Sequence, residues 1–303
     1  MIHGLLITVL ITAVWRVVQL HQQLGQSTLL TAARWAIAAA MCWLAAALIS
    51  WGPWSLPSEF TDQFWYWTAV VSLCPPMAVL GARRPTVRVW SWFILIPLIA
   101  VLGWPAMTLW AGLPVWRPIQ IEAPVLIGFF LVLVMGCGNF LGTRFTTSAL
   151  FYVLAITLLL LPFATLSASW TWVQFNREGA VAMLAAAIWL ASYQSARPTS
   201  APTRFDALWW DFRDAFGIVW SMRVQEQLLD AARREHWCVS LGTEGFLWDA
   251  KATPEQRQQT EQQLEHALRW SLRRFVDPPW IDARLQCDPT QQEPCPVPTA
   301  AGS

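Results

Sequence analysis

RFDALWWDFRDAFGIVW, residues 204–220, carries three aspartates and two arginines among a dense set of aromatic and aliphatic side chains. At about 100° per residue, Phe205, Leu208, Trp209, Phe212, Phe216, Val219 and Trp220 fall within one arc of about 120°. Asp206, Asp211, Arg213 and Asp214 fall outside it. The spacing predicts an amphipathic helix. Thr203-x-x-Asp206 in front of it resembles a capping box, and the helix is expected to run on through residues 221–235, its stripe drifting after Gly217.

Three destinations are open to that stripe: the protein's own C-terminal unit, another protein, or the membrane surface. Interfacial helices are usually rich in Lys and Arg on the polar face, because the cytoplasmic leaflet is anionic. Residues 205–220 hold three Asp against one Arg, which favours protein over lipid. Packing against the rest of the C-terminal unit is the default for such a helix.

The chain in front of this stretch has a different character. The 303 residues are 55% hydrophobic and 13% charged, about half the charge usual in soluble domains. Residues 1–200 hold nine Arg, no Lys and four acids, whereas residues 201–303 hold eleven basic and fifteen acidic residues. A helix needs about 20 apolar residues to cross the hydrocarbon core. Candidate spans lie at 4–20, 29–50, 63–82, 89–110, 123–143, 147–168 and 179–196. The third is interrupted by Cys74-Pro75-Pro76, and Pro97 and Pro105 predict a bend in the fourth. The first span has no basic segment before it and no small-residue cleavage site, so it reads as a retained span.

The loops orient these spans. One side gathers Arg16, Arg34, Arg83, Arg84, Arg88, Arg144 and Arg197, while the other has Arg117, Arg177 and the acids Glu59, Asp62, Glu122 and Glu178. The positive-inside rule then predicts a multi-pass protein of the cytoplasmic (inner) membrane, with its N-terminus outside and its C-terminal domain cytoplasmic. Trp51, Trp54, Trp65, Trp67, Trp110, Trp116, Trp170 and Trp172 fall near the outer boundary, as expected of an aromatic belt.

Chemistry inside the spans is sparse. No Asp or Glu lies deep in any of them, which argues against a proton relay. His3 and His21 sit at opposite ends of the first span, so neither haem ligation nor a clustered-His metal site is expected. Arg16 and Arg34 lie on successive helices at similar depth. They are the residues to hold an anionic lipid or solute, if they do more than snorkel to the interface. In MGCGNFLGTRF (135–145), Gly138-x-x-x-Gly142 permits close helix approach and Asn139 can hydrogen-bond a neighbour. This reads as a packing seam, within the chain or toward another subunit.

After a linker at 197–203, residues 204–279 read as a small helix–hairpin–helix domain. WCVSLGTEGFLW (237–248) suggests the hairpin. Thr253-Pro254-Glu255-Gln256 gives an N-cap, a proline at N1 and a capping-box Gln. The helix that follows buries Leu264, Leu268, Leu272 and Phe275, and Asp277-Pro278-Pro279 ends it. Residues 280–303 read as disordered. No C-x-x-C pair, P-loop, GxSxG, HExxH or kinase signature occurs. No cofactor or metal is implied, and the acidic C-terminal segment makes nucleic acid an unfavourable partner.

The fold class expected is thus a membrane all-α protein of about seven transmembrane helices, followed by a small cytoplasmic α+β domain. The expected function is a membrane anchor or interaction subunit, its partners being the bilayer and other membrane-protein subunits. Gly138, Asn139, Gly142, Phe205, Trp209, Phe212, Phe216 and Trp220 are its interaction residues. The alternative is a transporter or lipid- or anion-handling protein built on the Pro-broken third and fourth spans with Arg16 and Arg34.

Overall fold

The structure, a computed structural model, describes residues 2–54, 56–107, 119–164, 176–197, 201–242 and 245–286. Trp110, Trp116, Arg117, Trp170, Trp172 and residues 287–303 of the expected disordered tail lie outside the described residues.

The chain is a membrane-embedded helical protein with a small two-stranded sheet near its C-terminal end. Among the described residues four helices are long and apolar enough to cross a membrane: α1 (Ile2–Gln23), α2 (Leu30–Trp51), α8 with the short 3-10 turn that extends it (Thr146–Phe163), and α9 (Asn176–Ala196). The other three expected spans are built from shorter pieces. Residues 63–82 fall on α3 (Ser58–Ser72) and α4 (Cys74–Leu80), which meet at Leu73. Pro75 and Pro76 begin the second piece, where their missing N–H groups would be unpaired in any case. Residues 89–107 fall on α5 (Val87–Trp90), a π-helical stretch (Ser91–Leu95) and α6 (Ile96–Met107). Pro97 cannot donate to the carbonyl four residues back, and the widened turn directly precedes it. Helix α7 (Ala123–Gly138) stops five residues short of the expected 143, because residues 139–145 leave the helix as a run of turns.

Five helices close into a ring. Helix α1 packs on α2, α2 on α3, α3 on α8, α8 on α9, and α9 returns to α1. Trp43, Trp65 and Tyr66 are fully buried in this bundle. Their polar tips are satisfied internally, as buried indole and phenol groups require. Trp43 donates to Ser72 at 2.8 Å, Trp65 to Ser50 at 2.7 Å, and the Tyr66 hydroxyl to the Leu102 carbonyl at 2.5 Å. Trp65 is therefore a core residue rather than part of an exposed aromatic belt; Trp54 is exposed.

The C-terminal unit comprises α10 (Arg204–Glu235), an antiparallel hairpin of β1 (Val239–Gly242) and β2 (Gly245–Trp248), α11 (Pro254–Leu272) and α12 (Pro278–Leu285). Both expected caps form. The Thr203 hydroxyl oxygen accepts from the Asp206 N–H at 3.1 Å, and Thr253 and Gln256 make a reciprocal capping box. Helix α12 is the departure here. Residues 280–286 belong to the folded unit, with Ile281 and Leu285 buried in its core. The Pro278-Pro279 pair that stops one helix also starts the next, since proline is favoured in a first turn.

Phe205, Leu208, Trp209, Phe212, Phe216 and Trp220 are all buried, whereas Val219 is exposed. Gly217 explains the difference. It sits inside α10 with φ 79 and ψ −179, a kink that re-phases the helix beyond it. Phe275 anchors the stripe, its ring 5.3 Å from both Phe212 and Phe216 and 5.0 Å from Trp220. The same core continues into the bundle through Leu29, Met77, Val79, Ala82 and Leu95.

A Cβ on Gly217 would lie 2.2–2.5 Å from Asn139, and its positive φ disfavours any L side chain. Gly217→Ala should therefore lower stability by about 2 kcal/mol or more, read as a fall in melting temperature and faster proteolytic release of the C-terminal unit. Gly138→Ala, with open space around it, should leave both readouts near wild type.

Candidate functional site

The most elaborate polar constellation lies where the C-terminal unit meets the bundle. Asn139, directly after α7, is 2% exposed and clasps the α10 kink from both sides. Its Nδ2 donates to the Phe216 carbonyl at 3.0 Å, and its Oδ1 accepts from the Val219 N–H at 2.9 Å. Its own carbonyl accepts from the Ile218 N–H at 2.8 Å. A kinked helix leaves backbone groups without intrahelical partners, and one asparagine satisfies three of them.

Arg144, five residues on, engages two α10 carboxylates. Its Nε lies 3.1 Å from Asp214 and its guanidinium 3.5 Å from Asp211, and its backbone N–H donates to Asp214 at 3.2 Å. Asp211 also accepts from Arg284 of α12 at 2.8 Å. Burial pushes the Asp214 carboxyl above its ordinary value, offset only in part by the Arg144 backbone N–H and by the Arg144 and Arg213 guanidinia. Burial likewise lowers Arg284, against the pull of Asp211. Asp206 works locally, accepting from the Thr203 hydroxyl at 2.7 Å and from the Phe246 N–H at 2.8 Å, so it ties the hairpin to the start of α10.

Two further loops complete the suture. Thr28 donates through its hydroxyl to the Ala82 carbonyl at 2.7 Å, and its N–H donates to the Phe275 carbonyl at 2.9 Å. The Arg84 N–H donates to the Arg274 carbonyl at 2.9 Å, and its side chain pairs with Asp277 at 2.7 Å. Trp220 donates to the Val79 carbonyl at 3.1 Å. At the opposite end of the bundle, His3 stacks on Trp51 at 4.8 Å and bonds Glu178 at 3.1 Å, and Arg177 pairs with Asp62.

The expected site residues thus separate into groups. Asn139 and the aromatic stripe Phe205, Trp209, Phe212, Phe216 and Trp220 come together, within one chain. Gly138 and Gly142 do not form a close helix contact: nothing lies within 4 Å of a Cβ at either. The helix ends between them, so the pair never shares one helical face, and Gly142 instead takes φ 80 in the turn. Close approach is made by Gly136, where a Cβ would lie 2.9 Å from Pro76. Arg16 and Arg34 do not converge. Arg16 bonds Gln19 at 3.0 Å and lies over Trp15 and Trp189, while Arg34 is exposed and makes no hydrogen bond or ion pair among the described residues.

Sequence reasoning missed Gly217, Arg144 and Arg284. The drift of the apolar stripe at Gly217 was the available signal for the first. For Arg144, the signal was an acidic unit following basic loops; Arg284, inside that unit, left none. No group of three His, Cys, Asp or Glu among the described residues could hold a metal ion. A partly open pocket of about 370 Å³ lies between the helices, lined from α1, α2, α4, α8 and α9, with Cys137 of α7 and with Phe140, Phe145 and Ala215 on the side of the C-terminal unit. Comparison with protein-family models, with curated proteins and with solved structures finds no match to this chain.

Removing the Arg144 guanidinium leaves Asp214, 5% exposed, beside one fewer cation. Arg144→Ala should cost about 2–3 kcal/mol in thermal or denaturant unfolding. An acid whose folded pKa is raised takes up its proton first in the folded state. Its contribution to stability therefore rises as pH falls through that folded value and is flat above it. The melting temperature of wild type relative to Asp214→Asn should accordingly climb between neutral pH and about 4. A difference that shrinks with acid would mean that the arginine pairs dominate.

Proposed function

We propose that this chain is a multi-pass anchor or interaction subunit of a larger assembly in the cytoplasmic membrane. In this reading the chain crosses the bilayer seven times, α3–α4, α5–α6 and α7 making the three bent or short crossings. The N-terminus lies outside and the C-terminal unit faces the cytoplasm. The positive-inside pattern supports this orientation, because Arg83, Arg84, Arg144 and Arg197 share the end of the bundle that carries the C-terminal unit.

The observation that carries the reading is the suture itself. Loops 24–28, 81–84 and 139–144 all bond to the C-terminal unit. A bundle that holds a small unit at a fixed attitude to the bilayer suits presentation of that unit to a partner. Large apolar side chains on α6 and α7, among them Trp104, Phe130 and Leu131, are exposed and face either lipid or a neighbouring subunit. Anion transport through Arg16 and Arg34 has no geometric support, since the two share no partner.

Purification in mild detergent should bring one or more membrane proteins in fixed stoichiometry. A monodisperse single chain, recovered from native expression levels, would sink the subunit reading. A reporter fused to the C-terminus should be active only in the cytoplasm; activity on the outer side would overturn the orientation.

A further inference from the structure

The apolar pocket between the helices is left unexplained by the suture. Its lining follows α2 from Leu29 to Trp43, a length of roughly 20 Å at the helical rise. About 370 Å³ along that length makes the pocket elongated, the shape an extended alkyl chain requires. The wall is smooth on that side because Ala32, Ala33, Ala36, Ala39 and Ala40 supply it.

The chemistry of the wall excludes other contents. Among the described residues no Asp, Glu, Lys, Arg or His lines the cavity. Its two hydroxyls are already committed, Ser148 to Gln194 at 2.8 Å and Tyr152 to the Ser72 carbonyl at 2.5 Å. A buried water needs two to four polar partners, and beyond the acceptor lone pairs of these two hydroxyls the lining side chains are almost wholly apolar. An empty void would forfeit the dispersion contacts of its whole lining, a cost that grows with volume. The void is also more than twice the size of an engineered apolar cavity of roughly 150 Å³ that takes up benzene. Helices α1, α2, α8 and α9, which form most of the wall, are the four long enough to span a membrane. The medium at that depth is lipid hydrocarbon, and several lining residues, Val17, Ala36 and Ile188 among them, keep partial exposure.

We propose that the cavity holds one acyl chain of a bilayer phospholipid, as an integral part of the folded bundle. This does not depend on the subunit reading, because a lone chain would hold the same lipid.

The test uses the full chain in nanodiscs that contain phosphatidylcholine with a photoreactive diazirine in the middle of its acyl chain. After illumination, peptide mapping should find adducts on the inner face of α2, at Ala36 or Ala40, and at Tyr152, besides those on outward residues such as Phe130. Ala40→Phe fills the cavity and should cut the interior adducts by about tenfold while leaving those at Phe130. Ala38→Phe, on the exposed face of α2, should change neither. If Ala40→Phe does not fold, as judged by elution and melting, Ala187→Leu on the opposite wall replaces it. If that also fails to fold, the wild-type map decides. Wild type without interior adducts overturns the proposal. So do interior adducts that persist in a folded filled variant, or that only a polyprenyl lipid competes away.

Discussion

The hinge of this structure is one buried side chain against one kink. Gly217 breaks the α-helical geometry of α10 with a positive φ, which frees the backbone groups of its neighbours. The Phe216 carbonyl is buried and the Val219 amide partly so, and an unpaired amide or carbonyl shielded from water is costly. Asn139 satisfies them with both ends of its carboxamide and with its own carbonyl. Neither residue makes sense alone. Without the kink, Asn139 would be an unpaired amide at the end of an apolar helix; without Asn139, the kink would be an open backbone in a hydrophobic core. The pair sets where α10 lies on the bundle, and with α10 placed, Phe275, Trp220 and the hairpin have their positions.

The charge on α10 follows from that placement. An acidic amphipathic helix next to a membrane is a poor interfacial helix, because anionic headgroups repel it. Here each aspartate has protein work. Asp206 accepts from the capping Thr203 hydroxyl and binds the hairpin, Asp211 joins α12 through Arg284, and Asp214 faces Arg144 on the bundle. The loop arginine that sequence reading counts toward membrane orientation is thus also the counter-ion of a buried carboxylate. That pairing meets the need of a buried charge for a partner.

Much of the helical architecture could be read from the sequence because it rests on local rules. Apolar length marks α1, α2, α8 and α9; Pro75 and Pro97 mark the interruptions; Thr203 and Thr253 mark the starts of α10 and α11. The seam was only half legible. Asn139 stands out as a polar residue in an apolar run, but its partners Phe216 and Val219 are 77 and 80 residues away, and no periodicity links positions so distant. The Gly138–Gly142 spacing misled because a GxxxG pattern carries meaning only on a continuous helix, and this helix ends at Gly138. Arg16 and Arg34 misled for a similar reason. Equal depth on neighbouring helices does not fix the azimuth of either side chain, and here Arg16 turns toward Trp189 while Arg34 turns outward. The cavity left no sequence trace except a run of alanines, which reads equally well as tight packing.

The C-terminal unit also explains why the seam has to be this extensive. About 80 residues bury too little apolar surface to be comfortably stable alone, and the hairpin is only four residues a side. Its aromatic stripe is completed by Leu29, Met77, Val79, Ala82 and Leu95 from the bundle, in one continuous core. Seven of the 25 buried residues of that core come from the bundle, so the core is complete only once those helices have assembled. The polar contacts that frame it come from three separate interhelical loops, so the unit reads the relative positions of α1–α2, α4–α5 and α7–α8 together. A displacement of any one pair would break a hydrogen bond to Phe275, Arg274 or Ile218. The linker after α9 thus joins two parts of one continuous core.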